Sequence, residues 1–196
     1  MDYKKYIKKR NLRHKILKIL FFVPDKMMVS LQYYVKLNRF PNLKNPQRFT
    51  EKIQLYKISN HGLSLGEYVD KYEVRKFVEK RVANDILTKN YGVYTNIRDI
   101  DFSELPKQFV IKSTNGGGGN DVYICEKKSQ REIERIIEFY RHYPKRIRKN
   151  VAREKAYYNL KTRFIIEELL VNPDGSPIHD YKFFCFDGKV EYIVLD

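Results

Sequence analysis

The chain holds 196 residues, 42% hydrophobic and 32% charged, with 16 Tyr and 12 Phe, a composition that argues against long disorder and fits one soluble domain or two small lobes. Its net charge of +15 asks for an anionic partner, and nucleic acid, an anionic membrane surface, a nucleotide or an acidic glycan all qualify. The longest apolar run, residues 16–23, is broken by Lys18 and falls far short of the ~20 residues that span a bilayer; it also lacks a signal-peptide cleavage site, so the protein reads as cytoplasmic.

Residues 1–23 read as a basic amphipathic helix. Leu12, Ile16, Ile19 and Leu20 recur at helical spacing, eight Lys and Arg residues oppose the single acid Asp2, and Pro24 stops the run. Such a helix either lies on a membrane surface, anchored by Phe21 and Phe22, or packs on the protein body with a solvated basic side. Residues 38–60 are punctuated by prolines and turn helical near Thr50, a candidate N-cap. Ser64, with Glu67 three residues on, matches a capping box ahead of a helix with Val69, Tyr72, Phe77, Val78 and Val82 inward. Asp70, Lys71, Glu73, Arg75 and Lys76 form its outer face and read mostly as solvated charges.

Gly92 and residues 99–106 mark a linker into a strand, glycine loop and strand over residues 109–125. A second capping box, Ser129 with Glu132, opens a helix with Ile133, Ile136, Ile137 and Tyr140 inward, and Pro144 ends it. Residues 145–163 are highly basic and read as a mobile connection. A strand with paired acids, Glu167 and Glu168, occupies residues 164–170, and residues 172–175 carry turn chemistry. Two last strands, Tyr181–Phe186 and residues 189–195, meet at Asp187-Gly188, the usual two-residue hairpin turn. This order predicts an α+β fold with an antiparallel sheet.

The glycine loop is the most informative stretch. Gly116, Gly117, Gly118 and Gly119 supply four of the chain's nine glycines, an entropic cost that a special backbone geometry would justify. Lys112 leaves the incoming strand beside the loop, so ammonium and backbone N–H groups can be laid together on a polyphosphate. The Walker and dinucleotide patterns both fail, because each needs a helix after its glycines and this loop runs into strand residues. A hairpin tip with a solvent-facing lysine is the plain structural alternative. Cys125 and Cys185 match no metal spacing and read as two buried thiols; the four histidines form no cluster, and no metal ligands are assigned.

Five segments in order, NLKNPQRFTEKIQLYK, VDKYEVRKFV, LPKQFVIKSTNGGGG, RFIIEELL and DYKFFCFDG, resemble the TupA-like branch of the ATP-grasp superfamily, associated with teichuronopeptide and capsular polysaccharide synthesis. The resemblance implies an ATP-grasp-like arrangement: a helical region over residues 1–60 and a partial ATP-grasp domain over 61–196. Within it, residues 107–171 would be the ATP-binding lobe and 179–196 the start of the second lobe. It implies that Lys71 and Lys112 neutralise the α and β phosphates, while Asn115 and the backbone of Gly116, Gly117, Gly118 and Gly119 close over the phosphates. It also implies that Glu167, Glu168 and Leu170 lie along the adenine, that Asp180 accepts from a ribose hydroxyl and that Lys182 reaches a phosphate.

The implied reaction is ATP-driven activation of a carboxylate as acyl phosphate, followed by attack from an amine or hydroxyl of a glycan-linked acceptor. The protein reads as cytoplasmic, at the inner face of the membrane if residues 1–23 lie on it and not on the protein body. The Mg²⁺ ligands of such enzymes come from later strands, so the chain reads as stopping short of its metal site, with catalysis crippled or absent. A glycosyltransferase of the same pathway and a basic nucleic-acid binder are the alternatives; no Asp-x-Asp motif supports the first and no recognition motif the second.

Overall fold

A computed structural model describes residues 10–82, 86–117, 119, 121–144, 146, 147, 150–176 and 178–195. Residues 1–9 of the basic N-terminal segment, Gly118 and Asp196 lie outside the described residues.

The N-terminal third is helical. Helix α1 (Arg10–Ile19) runs into a 3₁₀ turn, Leu20–Phe22, and ends before Pro24, whose ring cannot continue it. Helix α2 (Asp25–Leu37) buries Met28, Val29 and Tyr33 and closes on Asn38, which adopts the left-handed conformation and donates its N–H to the Tyr34 carbonyl (2.7 Å). Helix α3 (Phe49–Ile58) starts just ahead of Thr50. Its organiser is the buried Glu51, whose carboxylate accepts the backbone N–H groups of Asn42, Gln47 and Arg48 at 3.1–3.3 Å and so ties down the proline-punctuated loop before it. Those N–H groups hold the Glu51 pKa down at about 2, the Arg48 N–H contributing most.

The helix expected after Ser64 is broken. Two short helices, α4 (Asn60–Leu63) and α5 (Gly66–Val69), precede α6 (Glu73–Arg81). The break sits at Asp70, whose side chain accepts the N–H groups of Tyr72 (2.9 Å) and Glu73 (3.0 Å) and restarts the helix as a cap does. Val82 is exposed, so the inward stripe ends before it.

The sheet follows, with strands β1 (Asn90–Tyr94), β2 (Phe109–Ser113), β3 (Val122–Cys125) and β6 (Phe164–Glu167) in the order β1-β6-β2-β3, every neighbouring pair antiparallel. Strand β1 lies where the sequence reads as linker. It pairs along the free side of β6 with an irregularity at Gly92, whose φ of +157° is one that residues with a side chain rarely adopt. Helix α7 (Gln130–Tyr140) starts at the expected cap, with the Glu132 N–H on Ser129 Oγ at 3.2 Å. It covers one sheet face, packing Ile136 and Tyr140 against Phe109, Ile111, Cys125, Phe164 and Ile166. The segment from Ile97 to Leu105 closes the same core and is held by Lys128, whose ammonium donates to the carbonyls of Phe102, Ser103 and Leu105.

Two small antiparallel pairs complete the chain: β4 (Arg146–Ile147) with β5 (Leu160–Lys161), and the hairpin of β7 (Tyr181–Phe186) with β8 (Lys189–Leu195). Asp187 (φ 50°) and Gly188 (φ 76°) make its turn, both left-handed as a two-residue hairpin of matching twist requires. The architecture is α+β, as expected. Two readings are corrected. Cys125 is buried but Cys185 is exposed, because β7 has no covering layer on either face. Nor is the basic stretch of residues 145–163 simply a mobile connection: Arg153 is fully buried, where its guanidinium holds the carbonyls of Leu20 and Phe21 and the Asp25 carboxylate.

Candidate functional site

The β2–β3 hairpin carries the glycine loop on the sheet. Alternation sends Phe109, Ile111 and Ser113 towards α7 and Val110 and Lys112 to the opposite face. The loop is held from three sides. Thr114 donates its N–H to the Arg163 carbonyl (2.8 Å) and accepts the Lys71 N–H (2.7 Å), while Ser113 and Asp121 close the hairpin across its base. Asn115 is buried, its amide donating to Thr162 Oγ (3.0 Å) and the Leu160 carbonyl (3.3 Å).

Lys71 sits in the α5–α6 break, so its side chain leaves the helix surface and reaches the loop. Its ammonium donates to the carbonyls of Ser113 (2.9 Å) and Gly116 (2.6 Å) and lies 3.4 Å from the buried carboxylate of Asp121. Asp121 in turn accepts from Ser113 Oγ (2.6 Å), which lies 2.8 Å from the Tyr143 hydroxyl. Burial raises the pKa of that phenol, keeping it neutral.

On the opposite sheet face, Lys112 pairs with one oxygen of Glu167 (2.8 Å), and Arg75 takes the other (2.9 Å). The Thr88 hydroxyl also lies on that second oxygen at 2.9 Å, and Arg75 reaches the Thr88 carbonyl. Glu167 is thus a cross-strand ion-pair partner, one diagonal step from Lys112 in the β2–β6 register. Asp70 and Glu73 converge on Arg163 (3.0 and 2.7 Å), and hydrogen bonds from Lys76 and Arg163 hold the Glu73 carboxyl below its ordinary range. The outer face of this helical segment is therefore a docking face: Asp70 is buried and Arg75 nearly so, because the sheet and the Arg163 segment supply their counter-charges.

Glu168 and Leu169 line an open cleft of about 470 Å³ at the end of the sheet, with Tyr91, Lys107, Gln108 and Lys127. Leu170 is exposed beside them in sequence. Asp180 and Lys182 stand at the start of β7, outside the four-stranded sheet, and pair with each other at 2.7 Å. The fold thus gathers Lys71, Asn115 and Gly116 at one end of the hairpin and Lys112 with Glu167 along its outer face. Asp121, Arg75, Arg163 and Thr88 join these clusters without any motif announcing them; position in the folded sheet is their only signal.

The site's chemistry fits a phosphate-bearing ligand. Lys112 lends positive charge, and a Cβ built on Gly117 would meet nothing within 4 Å, so this glycine serves no packing need and leaves its backbone open to close approach. Among the described residues the buried Thr114 Oγ and Asn115 Oδ1 have no hydrogen-bond partner; both are closed off from a ligand, and the amide oxygen only accepts, so neither adds to the phosphate chemistry. Magnesium is different: among the described residues no three His, Cys, Asp or Glu side chains gather to hold a metal. No metal-assisted step is therefore assigned to these residues.

N-terminal helices ahead of an antiparallel sheet with a glycine hairpin are consistent with an ATP-grasp-like fragment. A model described as TupA-like ATPgrasp matches residues 51–196, and the chain belongs to that family. No curated protein and no solved structure matches it.

Proposed function

We propose that the chain is an ATP-dependent, ligase-type enzyme component of capsular or cell-wall polysaccharide assembly. The observation that carries this reading is the Lys71 ammonium bonded to the carbonyls of Ser113 and Gly116, which fixes the glycine loop at the end of the strand that carries Lys112. ATP, taken with Mg²⁺ as ATP-grasp enzymes use it, would supply the phosphoryl group that activates a carboxylate as acyl phosphate, which an amine or hydroxyl of a glycan-linked acceptor then consumes.

The chain's own residues divide the binding work. Lys71 acts by fixing the loop, since its donors already serve two carbonyls. Lys112 is the cation on the open sheet face and exchanges its Glu167 contact for a phosphate; Arg75 remains on Glu167, so that carboxylate is not stranded. Asn115, Gly116, Gly117, Gly118 and Gly119 present backbone N–H groups to the phosphates. Glu168 and Leu170 lie along the adenine at the sheet-end cleft, with Glu167 contributing main chain alone because its carboxylate is committed. Asp180 and Lys182 come from the second lobe, residues 179–196, towards ribose and phosphate, facing the lobe of residues 107–171. Preorganised charge and N–H donors are the main means by which phosphoryl transfer is assisted.

The test is calorimetric binding of ATP to wild type and to Lys112→Met. ATP should bind, and the variant should bind at least about tenfold more weakly with an unchanged circular dichroism spectrum. A sugar nucleotide that binds more tightly than ATP, or equal ATP affinity in the variant, would overturn the reading.

A further inference from the structure

The N-terminal corner presents apolar side chains that the fold does not use. On α1, Leu12, Ile16 and Ile19 form one stripe at helical spacing, and Phe22 follows it; Ile19 is 72% and Phe22 80% exposed. On α2, Met27, Leu31 and Tyr34 repeat the same spacing outward while Met28, Val29 and Tyr33 point into the protein. Phe40 stacks on Tyr34 at 4.5 Å and is itself 67% exposed. Between them lies a shallow cleft walled by Met27, Leu31 and Phe40 and rimmed by Lys26 and Lys44.

The turn and α2 are seated on the fold. The buried Arg153 donates to the carbonyls of Leu20 and Phe21 and to Asp25, pinning the turn between α1 and α2, and Gln32 donates to the Val151 carbonyl behind α2. The exposed apolar side chains of α2 therefore sit on a helix that the fold holds in place, and those of α1 run into the pinned turn. The charge around them is of one sign: residues 10–44 contain eight Lys and Arg against one acid, Asp25, and that acid is paired with Arg153. A second copy of the chain would bring two such faces together against their own repulsion. An anionic bilayer satisfies both components at once, taking the apolar side chains into its interface and the lysines onto its headgroups.

We propose that α1, α2 and the Phe40 loop form an interfacial binding surface for an anionic lipid bilayer. The surface is wider than an N-terminal amphipathic helix, because half of its apolar contacts come from α2 and Phe40. It also reassigns Phe21, whose ring stacks under the Arg153 guanidinium and faces the protein. No helix among the described residues is long and apolar enough to cross a membrane, so the contact is one of lying on the surface.

The experiment is co-sedimentation of the full chain with vesicles of phosphatidylcholine alone and of phosphatidylcholine mixed with phosphatidylglycerol. Wild type should partition onto the mixed vesicles and release as salt rises. Met27→Ser/Leu31→Ser and Ile19→Ser/Phe22→Ser should each lower partitioning by about tenfold or more, and Lys15→Glu/Lys18→Glu by a comparable factor, at roughly fivefold per lysine lost. All the replaced side chains are exposed, and an unchanged thermal melt verifies the fold of each variant. Three results would each overturn the proposal: no binding to the mixed vesicles, serine variants that bind as wild type does, or a dimer on sizing columns that the serine variants abolish without any vesicle binding. The ATP-binding test is independent of all three.

Discussion

Gly116 and Gly117 adjoin in the loop and meet opposite surroundings. A Cβ on Gly116 would lie 2.0 Å from an Asp121 carboxylate oxygen and 2.3 Å from Ser113 Oγ, both buried and bonded to each other. Gly116→Ala should therefore cost roughly 2–3 kcal/mol of stability, read as a lowered Tm. Gly117→Ala should leave stability within about 0.5 kcal/mol and weaken ATP binding alone. Equal melting curves for the two variants would refute this division of labour. Glu51 makes a second residue-scale prediction. Its folded pKa of about 2 lies below the ordinary 4.5, so its contribution is fully present above pH 4.5 and is lost as pH falls towards 2. Glu51→Gln should lower Tm at neutral pH and lose less stability than wild type across that acid window; parallel pH–stability curves would contradict the assignment.

Between elements, the join that matters is α6 against the sheet. Arg75 and Glu167 are largely sequestered from water, and Lys112 shares the same carboxylate. Breaking a buried pair costs several kcal/mol when a charge is stranded, but here Lys112 remains to compensate. Arg75→Met should then destabilise by roughly 2–3 kcal/mol, less than a fully stranded charge would imply. The double variant Arg75→Met/Lys112→Met should cost more than the sum of its parts, because only then is Glu167 left buried without a cation. Additive losses in urea unfolding would show that the two cations act separately. This join also positions Lys112, so Arg75→Met should alter ATP affinity without touching the ligand.

At the scale of the whole molecule, the β7–β8 hairpin stands apart from the packed sheet. Phe183, Phe184, Tyr192, Ile193 and Val194 are exposed on both of its faces, and its contact with the helical region includes Phe186 against the Phe49 ring at 5.6 Å. A two-stranded ribbon of this kind is marginal alone and invites strand pairing along its edges. This chain should show concentration-dependent light scattering that Phe183→Lys/Ile193→Lys suppresses with no change in ATP affinity. Scattering that persists in the variant would locate the association elsewhere.

Period-two strands β2, β3, β7 and β8, the Ser129 cap and the Asp187-Gly188 turn were legible in the sequence because local backbone chemistry specifies each of them. So was the family, since its glycine loop and five ordered segments are local words. Strand β1 was not legible: Gly92 and Asn90 interrupt its alternation, and it becomes a strand by pairing along the open side of β6. The break at Asp70 was hidden for a similar reason, because its carboxylate caps α6 while bonded to Arg163, 93 residues away. Lys71, Arg75 and Asp70 read as solvated charges on a helix face, yet each finds its counter-charge or carbonyl in another element. Composition and short-range spacing determined the period-two strands, the Ser129-capped helix and the ligand chemistry that the glycine loop suits. Only tertiary structure decided which charges are buried, since the free energy of an ionised group depends on partners that the fold alone brings within reach.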